Sequence, residues 1–414
     1  VLNSLIFPAH EQHHNNSFLC AAVVMGQSNI PAGATIGSNH NSRGADGEFV
    51  AGRGFWPGLC VSIKHNTKLA SFSILAKGDY AYEMDIPIPF SLISVDVKND
   101  KLIVMPAYWF MYNLYALARN SWKYADRDKR TEKIQLLETD YLAPDSVNEM
   151  FDALALLETA TGAAFYKQNS EALVTDDDCK VKGNELLEQK NKVVDELEIV
   201  VPGFENAKRK TVLIKVQKAY EAFGKMICFY GINQLIGLCE ECMQNKTDIM
   251  QYLHKNKRKQ WLNIGGQLIA EEEIHRFKIS IKEEKINGWH EVHQFYISQG
   301  ETYNHQKREH AISSLLEIKK VKAEDITVPH LLQWLEEATE IKKLMVDAIY
   351  RSREKDYTNP FRKMMYESER EMETVLGKLN NNNFIKQQKH ELAEFIKRIS
   401  IIKTEIENGQ LVQW

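Results

Sequence analysis

The sequence predicts an α+β protein: coils of a left-handed parallel β-helix over residues 1–105, then an all-α region over 106–414, subdivided near 170–205. Three observations predict this. An apolar residue returns every six positions from Phe18 to Ile36 and again from Ile63 to Leu75. Small residues hold a fixed place inside each hexad. After Pro106 the apolar spacing changes to that of amphipathic helices.

Phe18, Val24, Ile30 and Ile36 form the first register, with Ala22, Ser28 and Ala34 in the small-residue column. In a three-sided coil each short strand sends one aliphatic side chain inward, and the tight corners admit only small neighbours. A helical period of 3.6 or a strand period of 2 selects neither feature. Ile63, Leu69 and Leu75 repeat the spacing, with Thr67, Ser73 and an imperfect Asp79 in the small column. Between the registers, residues 37–57 are rich in glycine and read as an inserted loop displayed from a coil corner. Loops on rigid scaffolds carry function, and this one holds Asn39, His40, Arg43 and Arg53.

The helical half is read from caps and stripes. Ser146 and Glu149 are spaced as a capping box ahead of Val147, Met150, Phe151, Leu154 and Leu157. Thr327 and Pro329 open a second helix with Leu331, Trp334, Leu335, Ala338, Ile341 and Met345 on one face. Leu102 to Ala118 reads as an aromatic-rich helix packed inside the protein rather than a membrane span. Thr175 to Asp178, Pro202-Gly203 and Asn380 to Asn383 punctuate the helices, and Trp261 to Leu268 reads as a turn between two of them. About 300 helical residues exceed what a cap on the coils needs, which favours an added binding or assembly role.

Composition excludes several classes. With 44% hydrophobic and 26% charged residues the chain is an ordinary folded protein, and a net charge of −4 argues against nucleic acid. The dense basic run Lys255 to Lys259 reads as a solvated helix face. Six scattered cysteines lack a disulfide framework, no signal peptide is present, and a reducing, cytoplasmic setting is expected. Cys239 and Cys242 have CxxC spacing but read as buried helix cysteines. The start at Val1 predicts a missing upstream segment.

The residues then resemble a family. HHNNSFLCA (13–21), AGATIGSNHNS (32–42), RGFWPG (53–58), FSILAKGD (72–79) and IPIPFSLI (86–93), with PAYWFMYNLYALARN (106–120) and LETDYLAPDSVNEMF (137–151), resemble a bacterial family known only as a domain of unknown function. That family is similar to hexapeptide-repeat transferases, among them sugar acyltransferases. The resemblance implies a trimeric prism with a site between neighbouring copies and a histidine as general base. His14, His40 and His65 are the local candidates.

Acyl transfer to a sugar needs such a base and donors for the developing oxyanion, which Asn39 and the glycine-loop amides supply. Arg43, Arg53, Lys64 and Lys77 are read as a cationic rim for a phosphorylated donor, acyl-coenzyme A or a nucleotide sugar. His10, Gln12, His13 and His14 are read as corner hydrogen-bonding groups rather than a metal site, because adjacent extended residues face opposite ways. His290-Glu291-Val292-His293 has the wrong spacing for a zincin, so no metal is assigned. The expected function is a hexapeptide-repeat transferase acting on a sugar or sugar-nucleotide. Its alternative is a non-catalytic carbohydrate-binding or assembly scaffold.

Overall fold

A computed structural model describes residues 1–13, 17–38, 48–169, 174–253 and 258–411. The protein is a mixed α+β chain with a β-rich region first and a helical region after it. In chain order the strands are β1 (Leu5–Ile6), β2 (His10–Gln12), β3 (Phe18–Leu19), β4 (Ala22–Val24), β5 (Ser28–Ile30), β6 (Thr35–Ser38), β7 (Phe49–Ala51) and β8 (Trp56–Pro57). They continue with β9 (Ser62–Lys64), β10 (Thr67–Leu69), β11 (Ile74–Leu75), β12 (Asp79–Tyr80), β13 (Asp85–Ile86), β14 (Leu92–Asp96) and β15 (Lys101–Met105).

Up to β14 the chain visits three faces in rotation, and each strand pairs in parallel with the third strand along, except that β5 and β8 form no ladder. One face is the sheet β1-β4-β7-β10-β13, another β3-β6-β9-β12, and the third combines the sheet β2-β5 with the strands β8-β11-β14 of a second sheet, the Asn29 N–H donating to the Phe55 carbonyl between them. Register aligns the buried residues in columns: Val24, Ala51, Leu69 and Ile86 on one sheet, Leu19, Ile36, Ile63 and Tyr80 on the next. All eight are at most 2% exposed, so the parallel repeat and the apolar core have one cause.

The hexad residues Val24, Ile30, Ile36, Ile63, Leu69 and Leu75 are buried as their spacing requires. Phe18 is a correction: it is 44% exposed, and Leu19 takes the inward place. The inserted loop is a second correction, because β7 and β8 lie within residues 37–57. Gly52 and Gly54 serve close packing. A Cβ on Gly52 would stand 2.7 Å from the Ser71 nitrogen, and one on Gly54, at φ +75°, would stand 2.1 Å from the Phe72 ring.

The parallel order ends at β15, which pairs antiparallel with β14, so Leu102 to Met105 is strand rather than helix. Helices α1 (Tyr108–Tyr112), α2 (Leu114–Asp126), α3 (Pro144–Gln168) and α4 (Asp176–Glu188) follow. The helical region is not all-α. β16 (Ile199–Val200) and β17 (Lys210–Leu213), rich in β-branched residues, extend the β14-β15 sheet, and β17 covers the edge of β15. After α5 (Val216–Asn245), residues 261–270 form the hairpin β18 (Trp261–Ile264) and β19 (Gln267–Ala270) instead of a bare turn. Gly265 and Gly266 both have positive φ, the requirement of its two-residue connection. The remaining helices are α6 (Glu271–Lys282), α7 (Trp289–Lys319), α8 (Val328–Thr358), α9 (Pro360–Lys363), α10 (Glu369–Leu376) and α11 (Asn383–Glu407).

The chain divides into two compact units. The first comprises Val1–Met111, Ser121–Phe223 and Gln260–Glu301. It joins the β-rich region to α3 and α4, whose axes approach closely because Gly162 and Gly183 sit at their crossing: a Cβ on Gly183 would lie 1.7 Å from the Glu158 carbonyl oxygen. The second comprises Tyr112–Asn120, Gly224–Lys259 and Thr302–Trp414. There α8 packs on α11, burying Leu331, Trp334, Leu335, Ala338, Ile341 and Met345 as their periodicity predicts. Thr327 caps α8, with Pro329 in its first turn. Among the described residues one helix, Val216–Asn245, is long and apolar enough to cross a membrane, and 67% of its most apolar window is buried in the protein. Cys239 and Cys242 on that helix are free and buried.

Candidate functional site

One concave feature of the first unit is a cleft of about 510 Å³ lined by Tyr82, Asp100, Glu205, Asn206, Ala207, Lys208 and Arg209. Three segments build it. The β16-β17 connection is anchored by buried Val201 and Phe204 and lies beside residues 83–85: the Asn206 N–H donates to the Glu83 carbonyl at 2.9 Å, and the Asp85 N–H to the Phe204 carbonyl at 3.0 Å. Tyr82 comes from the link between β12 and β13, and Asp100 from the β14-β15 hairpin turn.

Arg209 organises the cleft. Its Nε and Nη2 donate to the two oxygens of Glu205 at 2.6 and 2.5 Å, a bidentate pair formed within the irregular β16-β17 connection. The guanidinium lies 5.7 Å from the Tyr82 ring centroid, while Tyr82 remains 44% exposed. One face of the tyrosine is therefore braced and the residue still opens to solvent. The two carboxylates, Asp100 and Glu205, balance the two cations, Lys208 and Arg209. Behind this wall, Lys64 pairs with Glu83 at 2.7 Å and Asn206 Nδ2 donates to Glu83 at 3.1 Å. The Lys64 ammonium, followed by Asn206, holds the Glu83 carboxyl down at about 2.

The residues expected to form a site are placed separately. Lys64 joins the cleft wall through Glu83, and Lys77 is exposed after β11. His65, half-buried between β9 and β10, has an Nδ1 with no hydrogen-bond partner among the described residues. His14, Asn39, His40 and Arg43 lie outside the described residues. In the neighbouring cluster His10 Nδ1 meets Ser28 Oγ at 2.7 Å, Nε2 meets Gln12 Oε1 at 3.3 Å, and burial lowers its pKa. His13 lies 3.8 Å from Glu11. Among the described residues no group of three His, Cys, Asp or Glu side chains is placed to hold a metal.

Arg53 is buried rather than displayed. Its Nε and Nη2 each donate at 2.7 Å to Asp145, and its Nη1 donates to Gln27 Oε1 at 2.6 Å and to the Asp140 carbonyl at 2.9 Å. The guanidinium also faces the Phe72 ring at 5.3 Å. The capping-box reading of Ser146 and Glu149 is corrected here. Ala143 is the N-cap of α3, and Ser146 Oγ instead accepts from the Ala143 N–H at 3.2 Å and donates to the Tyr141 carbonyl. Glu149 is thereby released to accept the Ser71 N–H at 3.0 Å. Burial, reinforced by the Asp145 carboxylate, pushes its carboxyl up to about 8.

Sequence reasoning missed Asp145, the tertiary role of Glu149 and the cleft. The one local signal for the cleft was an acid and a base close in sequence, Glu205 and Arg209.

Residues 244–399 match the model of a domain of unknown function, DUF6819. The chain is similar to an uncharacterized protein of Treponema pallidum (strain Nichols), 38% identical over 393 residues. That alignment covers 95% of this chain and 53% of the relative, so the chain spans about half the relative's length. The two matches support an uncharacterised bacterial family, and neither carries an assigned activity. No solved structure matches the chain at a significant level.

Proposed function

We propose that this chain is a carbohydrate-binding module, displayed on coils of left-handed parallel β-helix, whose ligand is a neutral saccharide. The coil reading is supported by the six-residue spacing, the parallel return of every third strand and the aligned buried columns. The binding reading is carried by one observation: Tyr82 is braced on Arg209 yet 44% exposed, in a cleft whose formal charges cancel. An aromatic face suits the C–H face of a sugar ring, and Asn206, Asp100 and Lys208 offer donors and acceptors for hydroxyls. A phosphorylated ligand finds no net positive field there. A glycan array followed by calorimetric titration tests this: neutral oligosaccharides bind the wild type, and Tyr82→Ala weakens binding at least about tenfold. Selective binding of polyanions, or a Tyr82→Ala variant that binds equally well, overturns it.

A second reading, acyl transfer from acyl-coenzyme A to a sugar or sugar-nucleotide, is favoured by the His65 Nδ1, which has no hydrogen-bond partner among the described residues. It predicts a thermal shift with acyl-coenzyme A and loss of turnover in His65→Ala. The six free cysteines support a reducing, cytoplasmic setting, and a homotrimer is the assembly that the transferase reading requires.

A further inference from the structure

The ionic centre around buried Arg53, beneath α3, holds one more carboxyl group than its cation can balance. Asp145 occupies Arg53 with both oxygens. Glu149 stands one helical turn further on the same face of α3, and the Ser71 N–H at 3.0 Å is its hydrogen-bond donor. The groups facing Glu149 are Asp145 from its own helix, the Arg53 guanidinium from the β7-β8 corner and the Ser71 amide from the β10-β11 corner. Gln27 and the Asp140 carbonyl, which complete the shell of Arg53, are neutral. With both carboxyl groups ionised the centre carries one uncompensated negative charge in a desolvated place, which costs more than an added proton does.

We propose that Glu149 is a proton-operated latch: protonated, it seats the first turns of α3 on the β-rich coils, and loss of the proton loosens that seat. This goes beyond the saccharide reading and does not depend on it. The direction of the effect follows from the carboxyl's position near 8 in the folded protein, against about 4.3 in an unfolded chain. Between those values the native state holds a proton that the unfolded state has released. Stability therefore falls as pH rises from about 4.5 to about 8 and levels off above.

Urea unfolding of the full chain at pH 5.5 and 8.5, for the wild type and Glu149→Gln, tests the latch. The amide mimics the protonated acid in size and cannot ionise. The wild-type folding constant is expected to fall, relative to the variant's, by roughly 100-fold across that interval. Equal pH dependence in the two proteins overturns the proposal. Should Glu149→Gln not fold, a carbon-13 titration of glutamate carboxyl groups in the wild type decides: one resonance moving near pH 8 supports the latch, and titration of every resonance below pH 6 rejects it.

Discussion

Arg53 and Arg209 sit in the same three-part arrangement. Each guanidinium is bidentate to one carboxylate, Asp145 or Glu205, and each faces one aromatic ring, Phe72 at 5.3 Å or Tyr82 at 5.7 Å. The rings make the difference. Phe72 is covered on its other side by Phe90, stacked at 4.8 Å with planes 2° apart, whereas Tyr82 opens to solvent. The same arrangement is thus closed in one place and open to solvent in the other. Residue type alone does not separate the two arginines; what covers the neighbouring ring does.

Substitutions break or sharpen that comparison. The largest effect is expected from Arg53→Met, which leaves Asp145 and Glu149 without a cation: about 3–5 kcal/mol lost in urea unfolding. A loss under about 1 kcal/mol would mean that this corner is as open as the cleft. Phe72→Ala follows at about 3–4 kcal/mol, because a buried ring leaves a cavity. Tyr82→Ala, its counterpart, is expected to shift the same midpoint by less than about 1 kcal/mol while weakening the proposed saccharide binding at least about tenfold. Gly54→Ala places a methyl group against the Phe72 ring at positive φ and is expected to cost about 1–3 kcal/mol. The smallest effect belongs to Glu83→Gln. The Glu83 carboxyl is depressed to about 2 in the folded protein, so its contribution is present above about 4.5 and is lost as pH falls toward 2. The side chain is partly exposed, so the acid-unfolding difference is expected to stay below about 1 kcal/mol.

The β-rich region was legible because a fixed repeat ties spacing to burial. Val24, Ile30 and Ile36 are inside for the reason that their period suggested. Phe18 misled because the first turn starts one residue out of step, with Leu19 inward. Glycines at 52 and 54 read as loop residues, yet they answer to atoms of Ser71 and Phe72 that a local reading cannot see. Glu149 fitted a capping pattern, and the Pro144 turn moved the helix start and freed it for a tertiary partner. The cleft left no local trace beyond the Glu205 and Arg209 pair, since Tyr82, Asp100 and the 205–209 segment meet only after β17 has joined β15.

That last pairing has a consequence for synthesis. The strand that shields β15 is supplied about a hundred residues later in the chain. At roughly 5–20 residues per second, the nascent chain presents an uncovered hydrogen-bonding edge for on the order of ten seconds. Ribosome-bound fragments ending between β15 and β17 are the species in which chaperone dependence and self-association will concentrate.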